Sequence, residues 1–121
     1  MIYTVTFNPA IDLVMRTARL KSGEVNRANG EELMFGGKGI NVSIVLRELG
    51  AESVALGFVA GFTGEAIERG VRSAGVKTDF IRLESGFSRI NVKIKAGDET
   101  ELNGTGPDIS ESALEDRKSV V

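Results

Sequence analysis

A glycine cluster that opens directly into a stretch with helical periodicity constrains the fold of this chain most strongly. Residues 36–39 read Gly-Gly-Lys-Gly, and apolar side chains then recur at helical spacing as far as Leu49. Gly50 follows where a left-handed C-terminal cap is expected. The pattern therefore predicts an amphipathic helix over about residues 38–49, with the glycines forming the turn that leads into it.

This predicted helix start has the composition of an anion-binding site. The free amides of a first helical turn carry about half a positive charge, and glycines allow a ligand to come close to them. Lys38 and Asn41 share a helix face. Together with Gly36 and Gly37, they predict a site for a small polar molecule that carries a phosphate. The alternative is that the glycines serve only as a tight turn.

Two common phosphate-binding motifs do not match this segment. A P-loop would need a glycine where Glu32 stands and a serine or threonine where Gly39 stands. The dinucleotide fingerprint would need a third glycine where Val42 stands. A nucleotide-binding domain of either type is therefore disfavoured, and a phosphate site here must be of another kind.

The composition excludes several kinds of chemistry. The 121 residues include no histidine and no cysteine, so disulfides, thiolate or histidine metal ligands and nucleophiles activated by histidine cannot form within this chain. The net charge is −2, with both signs interspersed, which gives no indication of a nucleic-acid partner. No segment has the length of a membrane span, and no secretory signal is recognisable. We expect a cytoplasmic, single-domain protein with no membrane partner and no metal site of its own.

Strands and helices alternate along the first two thirds of the chain. β-Branched and continuous apolar runs predict strands, and helical spacing predicts the helices between them, the second of them capped by Thr63. This order is typical of right-handed βαβ units, so the predicted class is α/β with a Rossmann-like parallel sheet. The predicted elements are a strand over 2–7, a helix over 38–49, a strand over 53–60, a helix over 64–74 and a strand over 77–83.

The connection after the first strand carries two candidate binding residues. Asp12 follows the carboxyl end of that strand, where α/β sheets bind ligands, and is a candidate for holding sugar hydroxyls; a loop cap explains it equally well. Residues 13–20 are compatible with an edge strand, and residues 31–35 with a short strand that leads into the glycines. Arg27 is a candidate phosphate ligand, although a solvated surface position also explains it.

Residues 87–96 alternate between apolar and polar side chains and predict a half-buried strand. A turn and a returning segment over 99–103 complete an antiparallel hairpin, which indicates a lid or an oligomer contact. Arg89 is placed to reach a bound phosphate with its planar guanidinium group. We interpret two lysines of the same face as charges that keep an exposed strand from pairing with another chain. The polar face consists of Phe87, Arg89, Asn91, Lys93 and Lys95.

The chain closes with a predicted helix that lacks a stop signal. It begins at Ser110 or Ser112, and Ser112 with Glu115 has the spacing of a capping box. The helix pattern continues into Val120 and Val121 without a C-terminal cap. We therefore expect an incomplete domain, whose open apolar sheet edge would make the isolated chain poorly soluble or oligomeric.

Several segments, taken together and in order, resemble the N-terminal part of the PfkB sugar kinases of the ribokinase-like superfamily. The resemblance spans almost the whole chain and implies a ribokinase-like α/β fold with a small β-sheet lid over about 13–33 and 87–103. The lid also implies a homodimer formed through it. The segments are Asn8-Pro9-Ala10-Ile11-Asp12, Gly36-Gly37-Lys38-Gly39-Ile40-Asn41-Val42-Ser43, Gly57-Phe58-Val59, Gly61-Phe62-Thr63-Gly64-Glu65 and Ser88-Arg89-Ile90-Asn91-Val92-Lys93.

The same resemblance implies an activity and its cofactors, ATP and Mg²⁺. The γ-phosphoryl group of ATP would be transferred to a hydroxyl of a ketose phosphate, most similarly to the members that convert fructose 1-phosphate to fructose 1,6-bisphosphate. Tagatose 6-phosphate and fructose 6-phosphate are alternative acceptors, and a non-catalytic sugar-phosphate-binding module is an alternative function. Residues that match the family are implied to bind the substrate: Asp12, Gly36, Gly37 and Asn41 the sugar, and Lys38, Arg89 and, more weakly, Arg27 its phosphate.

The chain departs from the family in one respect. The second signature of these kinases, which carries the catalytic base and the anion hole, does not occur in these 121 residues, and neither does their ATP pocket. No catalytic residue is therefore assigned. The resemblance implies that this chain supplies the substrate site and lid of a parent kinase and is inactive alone.

Overall fold

The computed structural model describes residues 1–118, whose strands form two sheets. Three strands form a parallel sheet, and four form a mixed sheet. Val120 and Val121, into which the last helix was expected to continue, lie outside the described residues. In chain order the elements are β1 (Ile2–Thr6), β2 (Ala10–Arg16), β3 (Gly30–Gly36), α1 (Lys38–Glu48), β4 (Ser53–Val59), α2 (Gly61–Ser73), β5 (Lys77–Arg82), β6 (Arg89–Ala96), β7 (Asp98–Asn103) and α3 (Glu111–Lys118).

The parallel sheet has the strand order β1-β4-β5 and confirms the predicted βαβ arrangement. Its central strand β4 is a continuous apolar run, and Leu56 and Phe58 on one of its faces are fully buried. Helices α1 and α2 pack on the opposite face and enclose the core of the chain. This core consists of Ile40, Ala55, Ile67, Val71 and Val76.

The two helices of this unit differ in how well their starts were predicted. Helix α1 has the expected bounds, and Gly50 has the left-handed φ of 84° expected after its end. Helix α2 begins at Gly61, before the predicted start, so the expectation that Thr63 caps it is wrong. Thr63 lies in the first turn, where its buried hydroxyl donates to the Ser88 carbonyl oxygen at 2.8 Å. The positive φ of Gly61, 61°, lets β4 turn directly into the helix without a loop.

The mixed sheet has the order β3-β2-β6-β7, with β2 and β6 as parallel neighbours in its centre. The edge strand considered for residues 13–20 is therefore wrong in both start and position, because β2 begins at Ala10 and is paired on both sides. Asp12 lies inside this strand, which removes the explanation of Asp12 as a loop cap. The sequence pattern did not predict the start of β2, because the turn at Asn8-Pro9 leads directly into this second strand.

Strand β6 is also an inner strand, so the interpretation of Lys93 and Lys95 as guards of an exposed strand is wrong. Lys93 Nζ lies 3.8 Å from Glu101 Oε1 on β7, and Lys95 is the register partner of Glu99 on the same strand. The two lysines therefore lie opposite acidic residues of the hairpin, where cross-strand pairs of opposite charge are stabilising.

Two side chains of the mixed sheet reach the core of the parallel sheet. Ile11 of β2 and Phe35 of β3 pack against the core residues. The Phe35 ring lies directly on Gly70 of α2, where any Cβ would collide with it. The absence of a side chain at Gly70 therefore lets the mixed sheet dock on the helix.

The last helix is attached to β5. Arg117 Nη2 donates to the Asp79 carbonyl oxygen at 2.6 Å. The helix is capped by Ser110, whose Oγ accepts the Ala113 amide at 3.2 Å, which confirms the first of the two predicted starts and not the one at Ser112. No helix among residues 1–118 has the length and apolar character needed to cross a membrane.

One edge of the parallel sheet is apolar and exposed. Within the described residues β1 pairs with β4 alone. The apolar side chains of this strand and of Phe7 just after it are between 43% and 56% exposed, and three apolar residues of the neighbouring helix α1 are exposed beside them. This edge matches the open apolar edge expected from the sequence, and its effect on solubility stays a prediction. Its residues are Ile2, Tyr3, Val5, Phe7, Val42, Val45 and Leu49.

Candidate functional site

The start of α1 packs tightly on the end of β1. The Thr6 hydroxyl accepts the Ile40 amide at 3.1 Å, so it takes the place of a capping side chain on the helix itself. A Cβ on Gly37 would collide with Thr6, and a Cβ on Gly39 would lie 2.6 Å from the Val5 carbonyl oxygen. These two glycines therefore have a packing role, which brings the positive end of α1 to the carboxyl edge of β1.

Gly36 has a different neighbour, the carboxylate of Asp12. Gly36 ends β3 and is the register partner of Ala10, two residues before Asp12 on β2. A Cβ on Gly36 would collide with Asp12 Oδ2. On the other side, Asn91 of β6 donates from Nδ2 to Asp12 Oδ1 at 3.1 Å. The half-buried carboxylate is thus held between a bare backbone and an amide group.

Arg89 lies in the adjacent row of the same face. It begins β6 and is the register partner of Ala10. Its Nε donates to the Asn8 carbonyl oxygen at 3.1 Å, and within residues 1–118 its terminal nitrogens make no hydrogen bond or ion pair. Asn8 is itself held by a bond from its Nδ2 to the Thr105 carbonyl oxygen at 3.2 Å. Arg89 is therefore anchored at one nitrogen while two remain for a bidentate anion contact.

Lys38 and Asn41 project from the first turn of α1 and are exposed. Gly36, which faces Asp12, is separated from Lys38 by Gly37 alone, so the helix start follows directly on the carboxylate site. The cluster contains one carboxylate, two cationic side chains and a helix N-terminus. This arrangement suits a ligand that has hydroxyl groups for the carboxylate and an anionic group for the positive charges.

Arg27 lies far from the other candidate binding residues. It is exposed in the connection between β2 and β3, which leaves the sheet at the register pair Arg16 and Gly30. That pair and the pair Ala10 and Gly36 are at opposite ends of the two strands, about 20 Å apart at the usual rise per residue. Within the described chain Arg27 makes no side-chain hydrogen bond or ion pair, and its role as a phosphate ligand stays a prediction.

Sequence reasoning missed three residues that build this site. Thr6 secures the start of α1, Asn8 holds Arg89, and Asn91 holds Asp12. A signal existed for Asn91, because the alternation of residues 87–96 placed it on one face with Arg89. The parallel pairing of β2 with β6, which puts that face beside Asp12, left no local trace in the sequence.

Residues 1–118 include no group of three or more acidic side chains that would hold a metal ion, and the chain has no histidine or cysteine. No step of a reaction is assigned to a metal ion here.

Comparison with known proteins identifies the relatives of this arrangement. Residues 5–120 match the pfkB family carbohydrate kinases. The chain belongs to this family. It is 49% identical over 111 residues to the 1-phosphofructokinase of Bacillus subtilis (strain 168), covering 92% of this chain and 36% of the relative. It is 44% identical over 112 residues to the D-tagatose-1-phosphate kinase of Bacillus licheniformis, covering 93% and 36%.

A solved structure supports the same assignment. A crystal structure assigned to a phosphofructokinase of Staphylococcus aureus superposes on this chain with a TM-score of 0.89 at 47% identity. The match covers 96% of this chain and 38% of that one. The ribokinase-like α/β fold implied by the resemblance is confirmed. This pfkB chain spans a little more than a third of the length of the curated relatives that it matches.

Proposed function

We propose that this chain forms the sugar-phosphate-binding part of a kinase that transfers the γ-phosphoryl group of ATP to a hydroxyl of a ketose phosphate. The observation that carries the proposal is the juxtaposition of Asp12, a hydrogen-bond acceptor, with Arg89 and the positively charged start of α1. Membership of a carbohydrate kinase family supports ATP as the phosphoryl donor. The ATP and Mg²⁺ sites and the catalytic base belong to the rest of the parent protein in this proposal.

Each candidate residue has a role in substrate binding. Asp12 accepts hydrogen bonds from the sugar hydroxyls, and Gly36 and Gly37 approach the sugar through their backbone. Asn41 orients the sugar from the helix. Lys38 and Arg89 bind the phosphate that the substrate already carries. Positioning of this kind is the main contribution of the protein to phosphoryl transfer, because the reaction itself needs little covalent chemistry from it.

Fructose 1-phosphate is the proposed acceptor. The two curated relatives at 49% and 44% identity are named 1-phosphofructokinase and D-tagatose-1-phosphate kinase, which supports a ketose phosphate as the substrate class. Tagatose phosphates and fructose 6-phosphate are the acceptors against which it has to be tested, together with a module that binds the sugar phosphate without catalysis.

We also propose that the mixed sheet, together with the segments 13–33 and 87–103, is a lid that excludes water from the site and pairs with a second copy of the chain. The support is a row of apolar side chains that crosses the four strands in register on the face opposite Asp12. Two members of this row are 66% and 73% exposed. The row consists of Leu33, Leu13, Val92 and Leu102.

The binding proposal is tested by calorimetric titration of the chain with fructose 1-phosphate, and with fructose and inorganic phosphate as separate ligands. We expect fructose 1-phosphate to bind more tightly than either, and Arg89→Ala to weaken its binding about tenfold or more, since a charge-assisted contact is lost. Arg19→Ala, an exposed arginine outside the cluster, is the matched control. Equal binding of phosphate and fructose 1-phosphate would contradict a sugar-phosphate site.

The lid proposal is tested by sedimentation of the chain and of Leu33→Lys combined with Leu102→Lys. We expect the double substitution to shift the chain from dimer to monomer, because two charges would be buried in the apolar contact. Val25→Lys, at an apolar residue that is 85% exposed outside the sheet, should leave the assembly unchanged. An unaltered dimer in the double variant would place the contact elsewhere.

A further inference from the structure

Asn91 is a buried amide in the centre of the mixed sheet, 8% exposed, beside the half-buried Asp12. We propose that Asn91 is a positioning residue, which holds the Asp12 carboxylate in the orientation that binds the sugar. This inference rests on the proposed function, because it gives Asn91 a role in substrate binding without contact to the substrate.

Both ends of the Asn91 carboxamide are engaged. Its Nδ2 donates to Asp12 Oδ1 at 3.1 Å, and its Oδ1 accepts the Gly104 amide at 3.2 Å. The Gly104 amide can only donate, so it fixes which end of the carboxamide is oxygen and therefore which end meets Asp12. The Gly104 amide also contacts the Ile90 carbonyl oxygen at 3.2 Å, which ties it to the same strand. The donor offered to Asp12 is thus fixed in place by backbone.

The position of the Asp12 carboxylate is restricted from two sides. Asn91 engages Oδ1, and Gly36 faces Oδ2 so closely that no Cβ would fit there. A carboxylate that is free to rotate would lose side-chain entropy on binding a sugar, whereas one that is already held loses little. Asn91 therefore increases the affinity for the substrate by organising Asp12 before the substrate arrives.

The neighbouring strand provides a comparison for this role. Asn103 of β7 is the register partner of Asn91 and lies in the same row of the sheet. It is exposed, and within the described chain its side chain makes no hydrogen bond. Two asparagines in adjacent strands therefore have different surroundings, and only one of them meets Asp12. This makes Asn103 the matched control for substitutions at Asn91.

A double-mutant cycle in the full chain, with fructose 1-phosphate as the titrated ligand, tests the proposal. We expect Asn91→Ala to weaken binding about tenfold when Asp12 is present, which is the scale of one hydrogen bond to a charged group. In an Asp12→Ala background the same substitution should change binding by less than about twofold, because its partner is already gone. Equal losses in both backgrounds would overturn the proposal.

A second variant separates the donor from the shape of the side chain. Asn91→Asp keeps the volume and the acceptor for Gly104 but replaces the donor by a negative charge beside Asp12. We expect it to lose at least as much affinity as Asn91→Ala, whereas Asn103→Asp should retain binding within about twofold since it is one strand farther away. Near-normal binding by Asn91→Asp, with unfolding midpoints matched between the variants, would show a packing role and overturn the proposal.

Failure of the proposed function is distinguishable from failure of this inference. If the unaltered chain binds no ketose phosphate, the function fails. The role of Asn91 is then decided by the crystal structure of Asn91→Ala, in which we expect the Asp12 carboxylate to leave its place against Gly36. An unchanged Asp12 side chain in that structure would overturn the positioning role.

Discussion

The two sheets of this chain differ in how much of their surface is buried. In the parallel sheet, the last five residues of β4 are buried, and two helices enclose an apolar core on one face. In the mixed sheet, the strand β7 is exposed along its whole length, and pairs such as Arg16 and Glu32 face solvent. The candidate site is made almost entirely from the mixed sheet and its junction with α1. The comparison indicates that one sheet supplies most of the stability and the other carries the candidate site.

The largest expected effect follows from removing a core side chain. Ile67 is fully buried between α2 and β4, so Ile67→Ala should lower the free energy of unfolding by about 2–5 kcal/mol through lost burial and the cavity left behind. Val25→Ala, at a residue 85% exposed in the connection between β2 and β3 of the mixed sheet, should change it by less than about 0.5 kcal/mol. Urea denaturation measures both, and similar losses at the two positions would break the comparison.

The next largest effect on stability is expected at the contact between the mixed sheet and helix α2. Gly70→Ala places a Cβ against the Phe35 ring, which should destabilise the chain by about 1–3 kcal/mol through overpacking. An alanine at an unconstrained helix position would instead stabilise it by up to about 1 kcal/mol, so the sign of the change is informative. Thermal unfolding of Gly70→Ala, alone and combined with Phe35→Leu, measures this effect. The leucine side chain is smaller than the phenylalanine ring, so the double variant should regain part of the lost stability. A stabilised single variant would show that the two units are not tightly docked.

The site should respond to a change that leaves the core intact. Gly36→Ala forces the Asp12 carboxylate to move, and we expect fructose 1-phosphate to bind about tenfold more weakly with little change in the unfolding midpoint. Gly30→Ala, at the other end of β3, is the control, because its Cβ would lie 3.5 Å from Arg16 Cδ in ordinary contact. Calorimetry measures both, and equal binding by the two variants would separate Gly36 from the site.

The smallest effect concerns an ion pair at the solvent face of the mixed sheet. Arg16 Nη2 lies 2.6 Å from Glu32 Oε1, and this contact lowers the pKa of Glu32 below its ordinary value of 4.5. A pKa that is lowered in the folded chain stabilises the folded state at pH values above the ordinary pKa. This contribution is lost as the pH falls through the lowered pKa. Glu32→Gln should therefore be slightly less stable than the unaltered chain at neutral pH and equal to it in strong acid. A difference that persists in acid would exclude the ion pair as its cause.

The sequence predicted the parallel sheet far better than the mixed sheet, for a physical reason. Helical spacing and a continuous apolar run are local patterns, so the bounds of α1 and β4 follow from them. Alternation over residues 87–96 also showed which side chains of β6 share a face. It carried no information about the neighbouring strand, because parallel pairing with β2 depends on the path of the whole intervening chain.

The same limit explains which site residues were found. Lys38, Asn41 and the glycines are adjacent in sequence and form one motif. Asn91 acts through Asp12, which is 79 positions away, and neither residue carries a local signal for the other. At Thr63 a local signal was misleading. Its side chain is suited to cap a helix, but Gly61 allows α2 to begin two residues before Thr63, so Thr63 lies inside the first turn.

The pairing of β2 with β6 also has a consequence for the order in which the chain folds. It joins residues such as Asp12 and Asn91, and the chain between them includes the βαβ unit formed by β4, α2 and β5. Closing so long a loop loses more entropy than forming the helices or the nearer strand pairs, and this loss falls once the intervening chain is compact. We expect β6 to dock on β2 after the parallel sheet has formed. During synthesis, Asp12 and the glycines would then leave the ribosome well before the partners that complete their surroundings, and the candidate site would mature only after the parallel sheet has formed.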